Sequence, residues 1–127
     1  MIWGKKKLLI IDDSEIMRTL FYAEFDGKMD IVLASDGTSG LAAVLTEKPH
    51  VIILDINMPD MSGLEVLQRL NSSAQTRHIP VVIITGDDFN PTTERQARMQ
   101  KNCKGFLNKL ASSVAIQEAV SRAMSFN

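Results

Sequence analysis

Three short apolar runs in this chain each end in an oxygen-bearing side chain. The runs are residues 8–11, 51–54 and 81–84. Runs of four apolar residues rich in Ile and Val, bounded by polar residues, are typical of strands buried on both faces of a parallel sheet. They are followed by Asp12 and Asp13, by Asp55, and by Thr85. Because ligands bind such sheets in the crevice outside the carboxyl ends of the strands, we expect these side chains to converge on one small, highly charged site.

The length and charge of the chain limit what this site can belong to. The chain has 127 residues, enough for one domain with its own core and too few for two of ordinary size. We therefore expect residues 1–127 to form a single domain. The net charge of −1 gives no reason to expect nucleic acid as a partner of this domain, because phosphate binding needs a basic surface.

The sequence also argues against a membrane or secretory segment. The basic cluster Lys5–Lys7 is followed by only four apolar residues before Asp12, which is too short for a signal peptide. No segment approaches the roughly 20 apolar residues of a membrane span. Cys103 is the single cysteine, so no internal disulfide is possible. We expect a cytoplasmic protein that does not interact with a membrane.

The rest of the chain predicts five alternations of strand and helix. We expect strands at about residues 7–12, 29–34, 51–55, 81–85 and 105–108. The expected helix N-caps are Ser14, Asp36 or Thr38, Asn90, and Ser112 or Ser113. Strands that alternate with helices imply a parallel sheet with helices on both faces and right-handed crossovers. Composition alone leaves the strand order open.

The predicted helices differ in their apolar content. Four of them should place one apolar face inward, formed by Met17, Leu20, Phe21 and Phe25; by Leu41, Val44 and Leu45; by Leu64, Leu67 and Leu70; and by Ile116, Val120, Ala123 and Met124. The fourth helix, which Asn90 and Pro91 open, has little besides Ala97 and Met99. A helix without an apolar stripe docks weakly, so we expect this helix to be mobile.

The residues at the strand ends suit phosphoryl chemistry. Three crowded carboxylates repel one another, so either their pKa values rise or a hard divalent cation lies between them. Mg²⁺ fits best, since it takes oxygen ligands and needs only one or two carboxylates. Lys109 adds a positive charge suited to a phosphate oxygen. Thr85 adds a hydroxyl and Gly86 an accessible backbone N–H. Together these groups can form an aspartyl phosphate.

The same residues resemble a known family. The string LDINMPDMSG at residues 54–63, with Asp12-Asp13, Thr85-Gly86 and the segment 106–109, is similar to the receiver domain of bacterial response regulators. The resemblance covers the whole chain in the right order and spacing. It implies a flavodoxin-like (βα)5 fold of class α/β, with a five-stranded parallel sheet in the order 2-1-3-4-5, as in the chemotaxis member of the family.

The resemblance also implies a phosphorelay. By this resemblance, Asp55 should accept a phosphoryl group from a phosphohistidine of a sensor histidine kinase or a histidine phosphotransfer protein. Mg²⁺ should be held by Asp12, Asp13, Asp55 and the backbone carbonyl of Asn57, while Thr85, Gly86 and Lys109 should bind the phosphoryl oxygens. Thr85 is then expected to move inward and Phe106 to change rotamer.

The expected output surface is formed by the fourth helix, the fifth strand and the fifth helix. It contacts a downstream output protein or domain, or forms a phosphorylation-dependent homodimer. Self-phosphorylation and autodephosphorylation are the only reactions expected of the chain itself.

One position departs from the family pattern. Leu110 follows Lys109 where relatives usually have a proline, often after a cis peptide bond. A cis bond before a residue other than proline costs about 2.5–4 kcal/mol. We therefore expect a trans bond here, with Lys109 positioned by the packing of Phe106 and Leu107.

Other interpretations remain open. A phosphatase that works through an aspartyl phosphate typically carries an Asp-x-Asp pair after the first strand and an added cap, whereas here the acids are adjacent, the candidate nucleophile lies on the third strand and no cap fits. A flavodoxin-type cofactor binder needs a Ser/Thr/Gly-rich phosphate loop after the first strand, whereas residues 12–15 (Asp-Asp-Ser-Glu) would repel a phosphate unless a metal intervened. The strongest alternative is a receiver-like domain used for phosphorylation-independent dimerisation or protein interaction. His50 and His78 should lie about 15 Å from the acids, so we treat them as structural. Cys103 should pack, and Trp3 should be partly exposed.

Overall fold

The computed structural model describes residues 6–86 and 90–125, which form five strands and five helices in strict alternation. The strands are β1 (Lys7–Ile11), β2 (Asp30–Ala34), β3 (Val51–Asp55), β4 (Val81–Thr85) and β5 (Cys103–Asn108). The helices are α1 (Glu15–Phe25), α2 (Gly37–Glu47), α3 (Gly63–Ser72), α4 (Pro91–Arg98) and α5 (Ser113–Ser125). The sheet is parallel with the order β2-β1-β3-β4-β5, so the expected α/β fold and strand order are confirmed.

The core consists of two apolar layers on opposite faces of the sheet. One layer lies under α2, α3 and α4, and the other lies under α1 and α5. Every residue of β3 and β4 is buried, as the continuous apolar runs predict for central strands. Full burial of one such Val, Leu or Ile side chain contributes about 1.5–3 kcal/mol. The central strands therefore form a rigid base for the residues at their carboxyl ends.

Polar side chains begin the helices where the sequence predicts. The acceptors are Ser14 Oγ for the Met17 N–H (3.2 Å), Asp36 Oδ1 for Ser39 (2.7 Å), Asn90 Oδ1 for Thr92 (2.9 Å) and Ser112 Oγ for Ala115 (3.1 Å). The structure thus selects Asp36 over Thr38 and Ser112 over Ser113. At the end of α1, Gly27 takes a φ of +78°, a conformation that favours glycine.

Two residues expected on inward helix faces are exposed instead. The exposed fractions are 56% for Leu20 and 55% for Leu45. Each is next to a fully packed residue, Phe21 or Val44, and neighbours on a helix point about 100° apart. The stripe of a helix that touches the sheet is too narrow to include both the leucine and its packed neighbour.

The fourth helix is as poorly anchored as its composition predicts. Only Ala97 of α4 is buried, and Met99, which follows the helix, is 78% exposed. The helix ends at Arg98, and β5 begins at Cys103, two residues before the predicted strand. The expected position of Trp3 lies outside the described residues. Among the helices of residues 6–86 and 90–125, none is long and apolar enough to cross a membrane.

Candidate phosphorylation site

The expected convergence of polar side chains is present at the carboxyl edge of the sheet. Carboxylate oxygens of Asp12, Asp13 and Asp55 all lie within 4.8 Å of one another. Lys109 Nζ lies 3.3 Å from Asp55 Oδ2 and 3.5 Å from Asp12 Oδ2. Asp12 follows β1, Asp55 ends β3 and Lys109 follows β5, so three separate strands supply this cluster.

Asp12 is held by both its backbone and its side chain. Its N–H donates to Ala34 O at 3.1 Å, and its carbonyl oxygen accepts from Arg18 Nη1 at 2.7 Å. The side-chain Oδ1 accepts from the Ser14 N–H at 2.9 Å. Since Ser14 caps α1, Asp12 is not needed as the helix cap and its second oxygen faces the cluster. Asp13, the next residue, is exposed at the rim.

Asp55 is the most perturbed group of the cluster. Its side chain is 1% exposed, and its Oδ1 accepts from the Asn57 N–H at 3.2 Å. The pKa of Asp55 is raised to about 7, chiefly by burial and also by the charge of Asp12 and a hydrogen bond with Asp13. The charge of Lys109 and the hydrogen bond from the Asn57 N–H lower this pKa and partly offset the rise. Asp55 is thus a carboxyl group whose ionisation depends on what neutralises its surroundings.

The cluster fits a hard divalent cation. Asp12 Oδ2 and Asp55 Oδ2 are buried and accept no hydrogen bond, although both face the Lys109 ammonium. Buried carboxylate oxygens without donors are costly unless a positive charge compensates them. Two such oxygens beside the exposed Asp13 carboxylate form an all-oxygen set of the kind that Mg²⁺ prefers.

A glycine allows the loop after β3 to fold back behind Asp55. Gly63 begins α3, and its N–H donates to Ile56 O at 2.8 Å. A Cβ atom at Gly63 would lie 2.2 Å from Asp55 O and 2.7 Å from Ile56 Cα. No side chain fits at this distance from backbone atoms. The glycine of the string at residues 54–63 therefore has a structural role in placing Asp55.

The expected switch residues are neighbours. Thr85 ends β4 and is 4% exposed, and Gly86 follows it. Thr85 and the half-buried Phe106 line a common cavity of about 30 Å³ that also reaches the start of α4. The guanidinium of Arg98 lies 5.6 Å from the centre of the Phe106 ring. This last contact joins α4 to β5, and sequence reasoning missed it because it depends on how two elements pack.

The turn after β5 contains a second feature that the sequence analysis missed. The Lys109–Leu110 bond is trans, as expected, and no described residue has a cis peptide bond. Asn108, which ends β5, accepts the Leu110 N–H at 2.7 Å through its side-chain Oδ1. Phe106 and Leu107 pack in opposite apolar layers, so they anchor the strand up to this turn. Asn is common in turns, and that preference was the available signal.

The histidines lie away from the acids, as expected. His50 Nδ1 accepts the Lys7 N–H at 2.9 Å, at the amino edge of the sheet. Burial is the main factor that lowers the pKa of His50, with smaller contributions from Lys6 and Lys7. Cys103 is half-buried, and its Sγ donates to Gly105 O at 3.6 Å.

Comparison with known proteins identifies the family. The chain is 31% identical to protein PilH of Pseudomonas aeruginosa over 105 residues, which are 81% of this chain and 84% of PilH. It is 34% identical to response regulator PleD of Caulobacter vibrioides over 104 residues, 81% of this chain but only 22% of PleD. The chain thus spans less than a quarter of the length of PleD.

Solved structures share the fold. Chemotaxis protein CheY4 of Vibrio cholerae matches with a TM-score of 0.84 and 24% identity, over 94% of this chain and 99% of that one. A CheY-like receiver domain protein of Methanospirillum hungatei matches with a TM-score of 0.88 and 18% identity, over 97% and 96%. The sequence profile of the response regulator receiver domain matches residues 8–121. The chain therefore belongs to the response regulator receiver domain family, whose members are typically non-enzymatic signalling modules.

Proposed function

We propose that Asp55 is the phosphoryl acceptor of a two-component phosphorelay and that residues 1–127 act as one receiver domain. The observation that carries the proposal is the position of Asp55 Oδ2, buried and 3.3 Å from Lys109 Nζ, beside two further carboxylates. A carboxylate needs a nearby cation to approach a phosphoryl group, because both are negatively charged. Lys109 supplies one positive charge at this position.

The transfer is a substitution at phosphorus. The P–N bond of a phosphohistidine breaks as a carboxylate oxygen of Asp55 bonds to phosphorus, and the imidazole leaves with a proton from solvent. Lys109, Thr85 and the Gly86 N–H hold the phosphoryl oxygens and balance their charge. Hydrolysis of the aspartyl phosphate by water reverses the signal. We expect self-phosphorylation and autodephosphorylation to be the only reactions of the chain.

Mg²⁺ is the cofactor in this proposal. Asp12, Asp13, Asp55 and the backbone carbonyl of Asn57 would hold it, and when bound it supplies positive charge that neutralises the phosphoryl oxygens. The two buried, donor-free oxygens of Asp12 and Asp55 support this assignment. The two carboxylates, when ionised, carry more negative charge than the single positive charge of Lys109 can balance.

The upstream partner is a sensor histidine kinase or a histidine phosphotransfer protein, and the cytoplasm is the expected location. Downstream, the output surface of α4, β5 and α5 contacts an output protein or domain, or a second copy of this chain. We infer that the partner's contact surface carries acidic side chains around a central apolar side chain. The exposed residues that support this are Arg95, Arg98, Met99, Lys101 and Lys104. Neither nucleic acid nor a membrane is proposed as a partner.

A peptide experiment tests the output partner. A labelled peptide of alternating Glu and Leu should bind the beryllofluoride-treated protein more tightly than its Lys-Leu counterpart does. Arg95→Glu with Lys101→Glu should remove that preference, whereas Arg77→Glu, at an exposed site between α3 and β4, should keep it. Equal binding of both peptides, or no effect of the double substitution, would contradict an acidic partner.

Intact-mass measurement tests the phosphorylation site. Wild-type protein with acetyl phosphate and Mg²⁺ should gain one phosphoryl group, and Asp55→Asn should gain none. Beryllofluoride, which mimics the aspartyl phosphate, should bind only the wild type. Equal phosphorylation of both proteins would overturn the assignment of Asp55. No phosphorylation of a folded wild-type protein by acetyl phosphate or by a phosphohistidine donor would favour the phosphorylation-independent alternative.

A further inference from the structure

The turn that carries Lys109 is closed by the residue before it. Asn108 Oδ1 accepts the Leu110 N–H at 2.7 Å, and Asn108 O accepts the Ala111 N–H at 2.9 Å. Lys109 lies inside this turn, and its own N–H donates to Thr85 O at 2.7 Å. All three N–H groups that follow Asn108 are therefore hydrogen-bonded, two of them to Asn108 itself.

Of the side chains in this turn, only Ala111 packs against an apolar layer. Leu110 is 82% exposed, so it has little packing of its own. Lys109 reaches into the site and leaves 21% of its side chain exposed. Phe106 and Leu107 pack in the apolar layers before this turn, and Ser112 caps α5 after it.

The hydrogen bond from Leu110 exists only because Leu110 is not a proline. A proline has no N–H and restricts its own φ and the conformation of the residue before it. Where a relative has proline after the lysine, the ring limits the turn. Here the turn has a free backbone φ at Leu110, and the Asn108 side chain supplies the restraint through an Asx turn.

We propose that Asn108 is a positioning residue for phosphoryl transfer, which acts by holding the turn so that Lys109 Nζ faces Asp55. The proposal rests on the proposed function, because it concerns the lysine of that site. Asn108 itself is not one of the residues assigned to the phosphoryl group or to the metal. Its loss should let the turn sample other conformations, and the ammonium would then spend less time at the phosphoryl oxygens.

Four variants test the proposal. Asn108→Ala removes the side-chain acceptor, Asn108→Asp keeps an Oδ acceptor, Leu110→Pro removes the donor, and the double variant removes both. A net hydrogen bond of about 1 kcal/mol corresponds to a roughly five-fold effect. Asn108→Ala should therefore slow phosphorylation by acetyl phosphate and weaken beryllofluoride binding about three- to ten-fold. Asn108→Asp should keep the phosphorylation rate and the beryllofluoride affinity closer to those of the wild type than Asn108→Ala does.

Two readouts separate positioning from a general loss of stability. Mg²⁺ affinity, followed by NMR amides near Asp55, should be unchanged or tighter in Asn108→Ala, because a less fixed Lys109 competes less for the carboxylates. In the Leu110→Pro background, Asn108→Ala should have little further effect, since the donor is already gone. A matched control is Asn71→Ala, which loses a 3.0 Å side-chain bond to Gln100 at the far end of α3.

The outcomes distinguish this proposal from the one it rests on. If wild type is phosphorylated and Asn108→Ala matches it in rate and beryllofluoride affinity, the positioning role is wrong and the phosphorelay function stands. Equal loss in Asn108→Ala and Asn71→Ala, or an additive effect of Asn108→Ala in the Leu110→Pro background, would also overturn it. If wild type is not phosphorylated, the proposed function itself fails.

Discussion

Arg98 and Phe106 form a cation–π contact that connects α4 to β5, with the guanidinium 5.6 Å from the ring centre. The same guanidinium also forms an ion pair with Glu94, whose Oε2 lies 2.6 Å from Arg98 Nε. Phe106 shares a cavity with Thr85, so the ring lies between the candidate phosphorylation site and the output surface. Any rotation of the ring must therefore break or rebuild its contact with Arg98.

We expect Arg98→Gln to favour the phosphorylated-like state. A cation–π contact at an exposed site contributes about 0.5–1 kcal/mol, so its loss should tighten beryllofluoride binding about two- to five-fold. Glu94→Gln removes the ion pair but keeps the guanidinium, and it should change the affinity less. Ring resonances of Phe106 in the two variants report the rotamer directly. Weaker beryllofluoride binding in Arg98→Gln would show that the contact supports the active state instead.

Removal of Asp13 should abolish Mg²⁺ binding at concentrations that saturate the wild type. Mg²⁺ retains most of its water and has few protein ligands, so each carboxylate matters. The metal-free variant should be no less stable than wild type, because a like charge has been removed from a crowded cluster. Titration of Mg²⁺ followed by amide shifts near Asp55 measures the first effect, and urea unfolding with EDTA measures the second. An unchanged Mg²⁺ affinity in Asp13→Ala would exclude Asp13 as a ligand.

The raised pKa of Asp55 predicts how the metal-free protein responds to pH. Folding raises this pKa from its ordinary value of 3.8 to about 7. Between these values the folded state binds more protons than the unfolded state, so the Asp55 contribution to the free energy of unfolding falls as pH rises from about 4 to about 7 and then levels off. Urea unfolding of wild type and Asp55→Asn across this range isolates the effect, since only the wild type carries it. Parallel pH profiles for the two proteins would contradict the raised pKa.

Gly63 should not tolerate even a methyl group. A Cβ there would lie 2.2 Å from Asp55 O, which is a backbone atom that cannot move without shifting β3. Overpacking of this kind costs about 1–3 kcal/mol or more. The matched control is Gly105→Ala on the edge strand β5, whose nearest contact would be a Val82 methyl at 3.3 Å. Chemical denaturation of the two variants should show a clearly larger loss for Gly63→Ala.

The sequence was most informative where local chemistry and topology coincide. Asp12, Asp55 and Thr85 follow apolar runs, and parallel strands bring their carboxyl ends to one edge, so the site was predictable without coordinates. The exposure of Leu20 and Leu45 could not be predicted from the sequence, because helical periodicity marks a broad apolar face but not the narrower stripe that touches the sheet.

Contacts between elements were beyond reach for a different reason. Whether Asn108 bonds to Leu110 depends on the backbone angles of the turn, and whether Arg98 reaches Phe106 depends on where α4 lies against β5. Residue type and spacing determine neither the backbone angles of this turn nor the position of α4 against β5. A further example is the register shift opposite Val81 and Val82, where Lys104 of β5 has no partner residue in β4.

The helix α4 should open more readily than its neighbour α3. Only Ala97 of α4 is buried, whereas α3 buries Gly63, Val66, Leu67 and Leu70. Local opening costs little where few apolar side chains must leave the core, so amides of α4 should exchange with solvent faster than those of α3. Hydrogen exchange followed by NMR measures both helices in one sample. Beryllofluoride should slow exchange in α4 selectively, because the phosphorylated-like state reorganises the surface that α4 shares with Phe106. Similar protection of α3 and α4 before beryllofluoride is added would show that α4 is held by contacts stronger than its single buried residue suggests.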